Sequence, residues 1–427
     1  MKSKILILFV TVNFAAFHAQ AQRILTLKEC YQNALASTSL AGEKDAYASI
    51  WQLNEKNLSK GWLPSLDANG SFIYNSSVVD IGSAFGSLPF PVKSLPHEQY
   101  KVTLDINQVI YDGGVIKSSK NLEKANLGIN QKQTETDLYK LRSQINVYYF
   151  NLLLLGRQKD LLNDYLQLLD RQIQSMQSAL NNGMATRSDI DVVTSERIKI
   201  SQEIDENEII KASLLKNLSD LTGSVIDSSF RLVLPAVAFD KDQKLSRPEV
   251  EMFDLRKDQL TAGLKLTESK RMPKAFGFAT LGYGNPPGNN FFKDEFAPYY
   301  IVGAGIKWNI YDWNKTKNEI QSIRLQQGII ENRKSELEDN LSRMLTAKNA
   351  EIESLGSQMS SDTTLISIRK RITASAESKY DNGTITATEL LNEMNSEQQA
   401  IINYEIHRIN YVMAQVEYLN ISGKEIE

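Results

Sequence analysis

The chain has one cysteine, Cys30, and three histidines in 427 residues, too few for a disulfide framework or a Cys/His metal cluster. It lacks a charge excess as well: Lys plus Arg number 48 against 51 Asp plus Glu, a formal charge of −3, so no basic face awaits nucleic acid. Proline is missing from Val115 to Leu234 and from Tyr299 to Glu427, which leaves both stretches open to very long helices. After Phe17 no apolar run approaches the ~18 residues that mark a transmembrane helix. Catalysis would have to use His97 or His407, and neither has a nucleophile at recognisable spacing. The expectation is a protein without enzymatic activity and without a cofactor or metal. With 42% hydrophobic and 23% charged residues the chain is nevertheless well able to fold.

The first residues read as a label. Lys2 and Lys4 precede the apolar run Ile5 to Phe17, and Ala19-Gln20-Ala21 has the small-x-small pattern of a signal-peptidase site. Residues 1–21 are therefore predicted to be a signal peptide, and the mature chain to begin at Gln22 with a formal charge of −5. Cys30 stands nine residues beyond that cut, away from the position a lipid anchor requires. Export without an apolar helix leaves secretion, the periplasm, or an outer membrane entered by β-strands.

The chain is written twice. Tyr111-Asp112 recurs as Tyr311-Asp312, Asn182-Gly183 as Asn382-Gly383, and Thr222-Gly223 as Ser422-Gly423, each at an offset of 200. Gly128 and Gly156 return as Gly328 and Gly356 in the same register. Each copy opens on a capping-box pattern, Thr26-Leu27-Lys28-Glu29 and Ser246-Arg247-Pro248-Glu249, with Leu25 or Leu245 placed as a hydrophobic staple. Cys30 reads as a small buried residue packed on Leu25.

After each opening helix the hydrophobic period changes to two. Leu66, Ala68, Gly70, Phe72 and Tyr74 alternate with Asp67, Asn69, Ser71 and Asn75, and the pattern predicts strands at about 65–75, 100–110, 275–283 and 299–310. Each is long enough, when tilted, to cross a bilayer and carries aromatic residues at its ends. Gly282 to Gly288 looks faintly like a phosphate loop, but joins strand to strand without the helix that would hold an anion, and reads as a hairpin loop. Between the strand pairs, Leu138, Leu141, Ile145, Tyr148, Leu152, Leu155, Leu162, Leu166, Leu169, Ile173, Met176 and Leu180 step by three and four, with Lys159 the one polar interruption. A helix over 115–181, roughly 100 Å long at ~1.5 Å per residue, projects far beyond a compact domain. It folds back near Gly183 into 188–221, giving helical hairpins over 115–222 and 314–422 with turns near 183 and 383. Residues 22–223 and 246–427 are the two repeats, and 224–245 is the linker between them. Four strands cannot close a membrane barrel, so several chains must share one; three would supply 12 strands above 12 helices.

These residues resemble the outer membrane efflux proteins, typified by the TolC channel. The resemblance runs from Leu25-Thr26-Leu27 through Trp62-Leu63-Pro64-Ser65-Leu66, Ile110-Tyr111-Asp112-Gly113-Gly114, Leu221-Thr222-Gly223 and Arg247-Pro248-Glu249-Val250 to Tyr380-Asp381-Asn382-Gly383. It implies a mixed α/β membrane protein, mostly α: a homotrimer with a 12-stranded β-barrel in the bacterial outer membrane on a 12-helix tube in the periplasm. It further implies a passive channel served by a periplasmic adaptor (membrane fusion) protein and an inner-membrane pump of RND or ABC type. By position the adaptor would dock on Gly183, Met184, Ala185, Thr186, Gly383, Thr384, Ile385 and Thr386. The resemblance places Asp189, Tyr380, Glu389 and Asn392 at the pore constriction or in the contacts that close it, with Asp189 facing Tyr380. Asn392 stands where a second ring acid can occur, and Ile385 where some members carry an arginine. The competing reading is an exported coiled-coil structural or adhesive protein that never enters a membrane; the paired amphipathic strands tell against it.

Overall fold

A computed structural model describes residues 23–79, 95–227, 229–241, 244–290 and 293–426. The expected signal peptide lies outside the described residues. The element order is β1 (Arg23–Leu25), α1 (Leu27–Ser37), α2 (Glu43–Ser59), β2 (Ser65–Tyr74), β3 (Glu98–Tyr111), α3 (Val115–Asn181), α4 (Arg187–Thr222), β4 (Phe230–Leu232), α5 (Pro248–Ser269), β5 (Lys274–Asn285), β6 (Ala297–Lys307), α6 (Lys315–Asp381) and α7 (Ala387–Ser422). The two copies repeat at the level of length: α3 and α6 each have 67 residues, α4 and α7 each 36.

The chain divides into two compact bodies, each combining segments of both copies. One is drawn from Met1–Thr38, Lys140–Gln243 and Leu345–Glu427, the other from Ser39–Tyr139 and Lys244–Met344. In the first body α1 begins with a complete capping box: the Thr26 amide donates to the Glu29 carboxylate (2.8 Å) and the Glu29 amide to the Thr26 hydroxyl (3.2 Å). The apolar face this fixes, with Leu25, Leu27, Cys30 and Ala34, packs against Ile145, Tyr149, Phe150, Leu152, Leu218 and Val416. β1 runs parallel to β4, pairing Ile24 with Arg231. Cys30 is fully buried, and burial, with the Glu29 charge adding to it, pushes its thiol up to about 12. Native protein at pH 8 is therefore expected to resist maleimide for hours and to label stoichiometrically once unfolded in urea; prompt labelling of the native state would show that this core is open.

In the second body the helices beside the long ones are α2 and α5, because α4 and α7 are little more than half the length of α3 and α6. Polar contacts hold these short helices. On α2, Lys44 approaches Glu135 (3.8 Å) and Asn54 donates to Glu123 (3.1 Å); on α5, Glu251 takes Lys132 (2.6 Å) and Asp254 takes Lys334 (2.7 Å). The start of α5 departs from the sequence expectation. Its N-cap is Arg247 rather than Ser246, because Pro248, with φ preset for a helix, occupies the first helical position. Glu249 then falls one residue short of the capping-box position and pairs with the Arg247 guanidinium (2.5 Å).

The turns into α3 and α6 solve one problem in two ways. Gly113 and Gly114 adopt φ of 74° and 87°; the equivalent residues are Trp313 and Asn314, at 54° and 63°. Asn tolerates the left-handed region, whereas Trp there carries about 1–2 kcal/mol of strain. Asp112 and Asp312 stabilise both turns, accepting from the Gly114 (2.8 Å) and Thr316 (3.0 Å) amides respectively.

Candidate functional site

β2, β3, β5 and β6 form one antiparallel sheet in that order. The register aligns Ala68, Leu104, Leu281 and Tyr300 across all four strands, and Leu66, Ile106, Ala279 and Val302 beside them. Because side chains alternate, these rows share one face, and among the described residues nothing covers it: Tyr300, Val302 and Ile306 are 76%, 74% and 79% exposed. Aromatic residues end this face, with Phe72, Tyr100, Tyr283 and Phe296 in ring contact at one end and exposed Trp308 at the other. The opposite face aligns Asp67, Asp105, Thr280 and Ile301. There Asp105 accepts from Asn69 (2.8 Å), Thr103 (2.9 Å) and Thr280 (2.6 Å), binding three strands through one carboxylate. The outer edges of β2 and β6 have no partner among the described residues. A sheet apolar and open on one face, largely polar on the other apart from Phe276, Phe278 and Ile301, and unpaired at both edges suits a wall between lipid and a watery lumen.

The other body carries the two hairpin turns. Gly183 ends α3 at φ 72°, donating to Leu180 O (3.0 Å), while Met184 N–H reaches back to Ala179 O (2.8 Å). Gly383 does the same at φ 66°, with its N–H on Tyr380 O (2.8 Å) and that of Thr384 on Lys379 O (2.9 Å). Both are Schellman closures, which need a residue free to take positive φ. Three residues on, Thr186 and Thr386 cap the returning helices. Their amides donate to the carboxylates of Asp189 and Glu389 at 2.8 Å each, and each acid's amide returns a bond to the threonine hydroxyl at 3.3 Å. Beneath the turns Leu169, Met176, Ile190, Val193, Leu390 and Met394 pack the two hairpins into one core. Beside the second turn lies a groove of about 510 Å³ floored by Ile368, Ile372 and Ile385 and rimmed by Arg371, Lys379 and Glu393.

Residues 56–202 match the family model described as outer membrane efflux protein. Among solved structures the chain is similar to CusC, with a TM-score of 0.70 and 13% identity over 93% of this chain and 92% of that one. It is likewise similar to VceC of Vibrio cholerae (0.66, 12%, 92% and 96%) and to the open state of the MtrE outer membrane channel of Neisseria gonorrhoeae (0.65, 14%, 93% and 89%). Among curated proteins nothing matches. The chain has the outer membrane efflux protein fold.

Within the efflux-protein fold, the residues singled out in the sequence fall as follows. Gly183, Met184, Thr186, Gly383, Thr384 and Thr386 are exposed, and Ala185 and Ile385 half-buried. Met184, 77% exposed, is an apolar side chain without cover at the end of a hairpin. Tyr380 is half-buried; its phenol is raised first by burial and then by the charges of Asp189 and Asp381. Asn392 is exposed on the first turns of α7. Both acids have a structural task that the sequence reading did not use, although the hydroxyl-x-x-acid signal is as plain at Thr186 and Thr386 as at Thr26.

Glu389 gives a pH test. The Thr386 amide and hydroxyl hold its carboxyl below its ordinary 4.5. Stabilisation of the turn is thus fully present above pH 4.5 and lost as pH falls through the lowered value. Hydrogen exchange at 384–392, corrected for intrinsic rate, is expected to accelerate below that pH in the wild type, and to be fast and flat with pH in Glu389→Ala. Identical profiles would show that the cap contributes nothing.

Proposed function

We propose that the chain is one protomer of a homotrimeric channel that conducts solutes from an inner-membrane pump and its adaptor across the periplasm and outer membrane. The observation that carries this reading is the four-stranded sheet with a bare apolar face and two open edges. Unpaired backbone groups in hydrocarbon cost several kcal/mol each, so β2 of one copy must meet β6 of another. Closure needs at least about eight strands, and three copies give a barrel wide enough for a lumen. The helices are suited to the same assembly: Leu365 on α6 and Ile198 and Ile209 on α4 are exposed apolar residues, ready for a neighbouring copy.

The hairpin turns and the groove beside Ile385 are the surfaces for the adaptor, and Asp189, Tyr380, Glu389 and Asn392 stand where the conduit narrows. The channel itself has no substrate pocket to argue from; selection of the solute belongs to the pump. Protein extracted from outer membranes in mild detergent is expected to run as a trimer by native mass and to conduct in planar bilayers. Asp189→Ala combined with Tyr380→Phe is expected to raise that conductance several-fold if these residues help close the narrow end. A soluble monomer absent from the membrane fraction would overturn the channel and leave the coiled-coil scaffold.

A further inference from the structure

Where the sheet meets the helices there is a cleft of about 450 Å³ that the conduit does not use. Trp51 and Glu55 of α2, Trp62 just ahead of β2, and Lys117, Lys120 and Lys124 near the start of α3 line it. Its chemistry is unbalanced. Lys120 approaches Glu55 at 3.8 Å, but Lys117 and Lys124 form no ion pair among the described residues, and Glu123 beside them is turned to Asn54 (3.1 Å). The indole N–H of Trp51 is buried without an acceptor. A buried donor of that kind loses a hydrogen bond it would have made to water, which points to an acceptor that arrives from outside. The Gly114 and Ile116 amides at the start of α3 are already taken by Asp112 (2.8 and 2.5 Å).

The cleft's level follows from the strands. Trp62 precedes β2 by three residues, and its carbonyl accepts from Gln108 of β3 (2.8 Å). This is the sheet end from which the helices leave, and Tyr111, Trp308, Tyr311 and Trp313 are exposed at the same end. Given the membrane reading proposed above, on which this inference rests, that end lies at the headgroups of the inner leaflet, the depth that exposed Trp and Tyr mark in membrane proteins. Three ammonium groups against one carboxylate favour a ligand with net negative charge.

We propose that this cleft binds the phosphodiester headgroup of an anionic phospholipid. Lys117 and Lys124 take the phosphate oxygens, Trp51 Nε1–H donates the third bond, and Trp62 lies along the glycerol and upper acyl chain. A zwitterionic headgroup brings its own ammonium against Lys120 and is held less well.

The test uses the full chain in detergent, stripped of lipid and titrated with phosphatidylglycerol, phosphatidylcholine or inorganic phosphate while bound adducts are counted by native mass spectrometry. Wild type is expected to retain one phosphatidylglycerol per chain in preference to phosphatidylcholine. Lys117→Gln with Lys124→Gln should weaken that binding by about tenfold or more. Trp51→Phe, which keeps the ring and removes the donor, should weaken it by a smaller factor at unchanged oligomeric mass. Equal retention of the two lipids, or a double variant that binds as the wild type does, overturns the site. Displacement of phosphatidylglycerol by millimolar phosphate shows a free-anion site and overturns the lipid assignment. A wild-type chain absent from outer-membrane fractions overturns the membrane reading itself, whereas a membrane-resident chain indifferent to headgroup charge overturns only this proposal.

Discussion

Arginine in place of Leu281 is expected to keep the chain out of the outer membrane. Leu281 lies in the middle of β5 on the apolar face, between Leu104 and Tyr300, and 51% of it is exposed to whatever that face meets. In lipid, an arginine at mid-bilayer on the outer surface of a barrel costs about 2–4 kcal/mol, incurred once per copy. The matched control is Ile301→Arg on the opposite face, across the ladder from Thr280 and one strand from Asp105, where a guanidinium meets polar groups and, in a barrel, water. The fraction of protein in carbonate-washed outer membranes should fall at least tenfold for Leu281→Arg and change little for Ile301→Arg. If the two variants insert equally, the assignment of the faces is wrong, and with it the barrel.

Loss of Tyr149 is expected to unfasten the first body. Its ring is fully buried, edge-on to Phe150 at 5.9 Å, and its hydroxyl lies 2.9 Å from Leu25 O and 2.7 Å from Val233 O while accepting from Val233 N (3.2 Å). One oxygen therefore ties the end of β1 to the chain just past β4, and burial raises the phenol well above its usual range, keeping it neutral. Tyr149→Phe strands the buried Leu25 carbonyl and releases the part-buried Val233 groups, at about 1–3 kcal/mol. Tyr149→Ala adds the cavity and should destabilise by about 3–5 kcal/mol. Limited proteolysis reads both: cleavage within 224–241 should appear early in the alanine variant and at an intermediate rate in the phenylalanine variant. A phenylalanine variant as resistant as the wild type would mean that the hydroxyl is not the fastener.

Much of this architecture is written locally. The alternation around Leu66 and Tyr300 and the three-four stepping from Leu138 to Leu180 are direct statements of period, and the offset of 200 survives as helix pairs of equal length. What escaped was decided by competition between neighbours. Ser246 lost the cap of α5 because Pro248 fixes where a helix can begin. The left-handed turn signalled by Gly113-Gly114 is unrecognisable as Trp313-Asn314, since no rule of propensity expects Trp at positive φ. The division of labour in which α2 and α5 accompany the long helices was hidden because their faces are half polar and joined by ion pairs, as at Lys334 and Asp254. At the hairpin turns both the glycines and the Thr-x-x-acid capping pattern of Asp189 and Glu389 are legible. Tyr149 could not be found at all from sequence, because its partners at Leu25 and Val233 are distant in the chain and use backbone atoms.

The interleaving of the two bodies has a consequence for biogenesis. The core that buries Leu25, Leu27 and Tyr149 is completed by Ile409 and Val416 on the last helix. A chain that emerges from its N-terminus cannot close that core until nearly all of it is out. The β2–β3 hairpin likewise waits for β5, which pairs the open edge of β3. Neither body is therefore expected to fold piecemeal as the chain is made, and both wait for segments of the second copy.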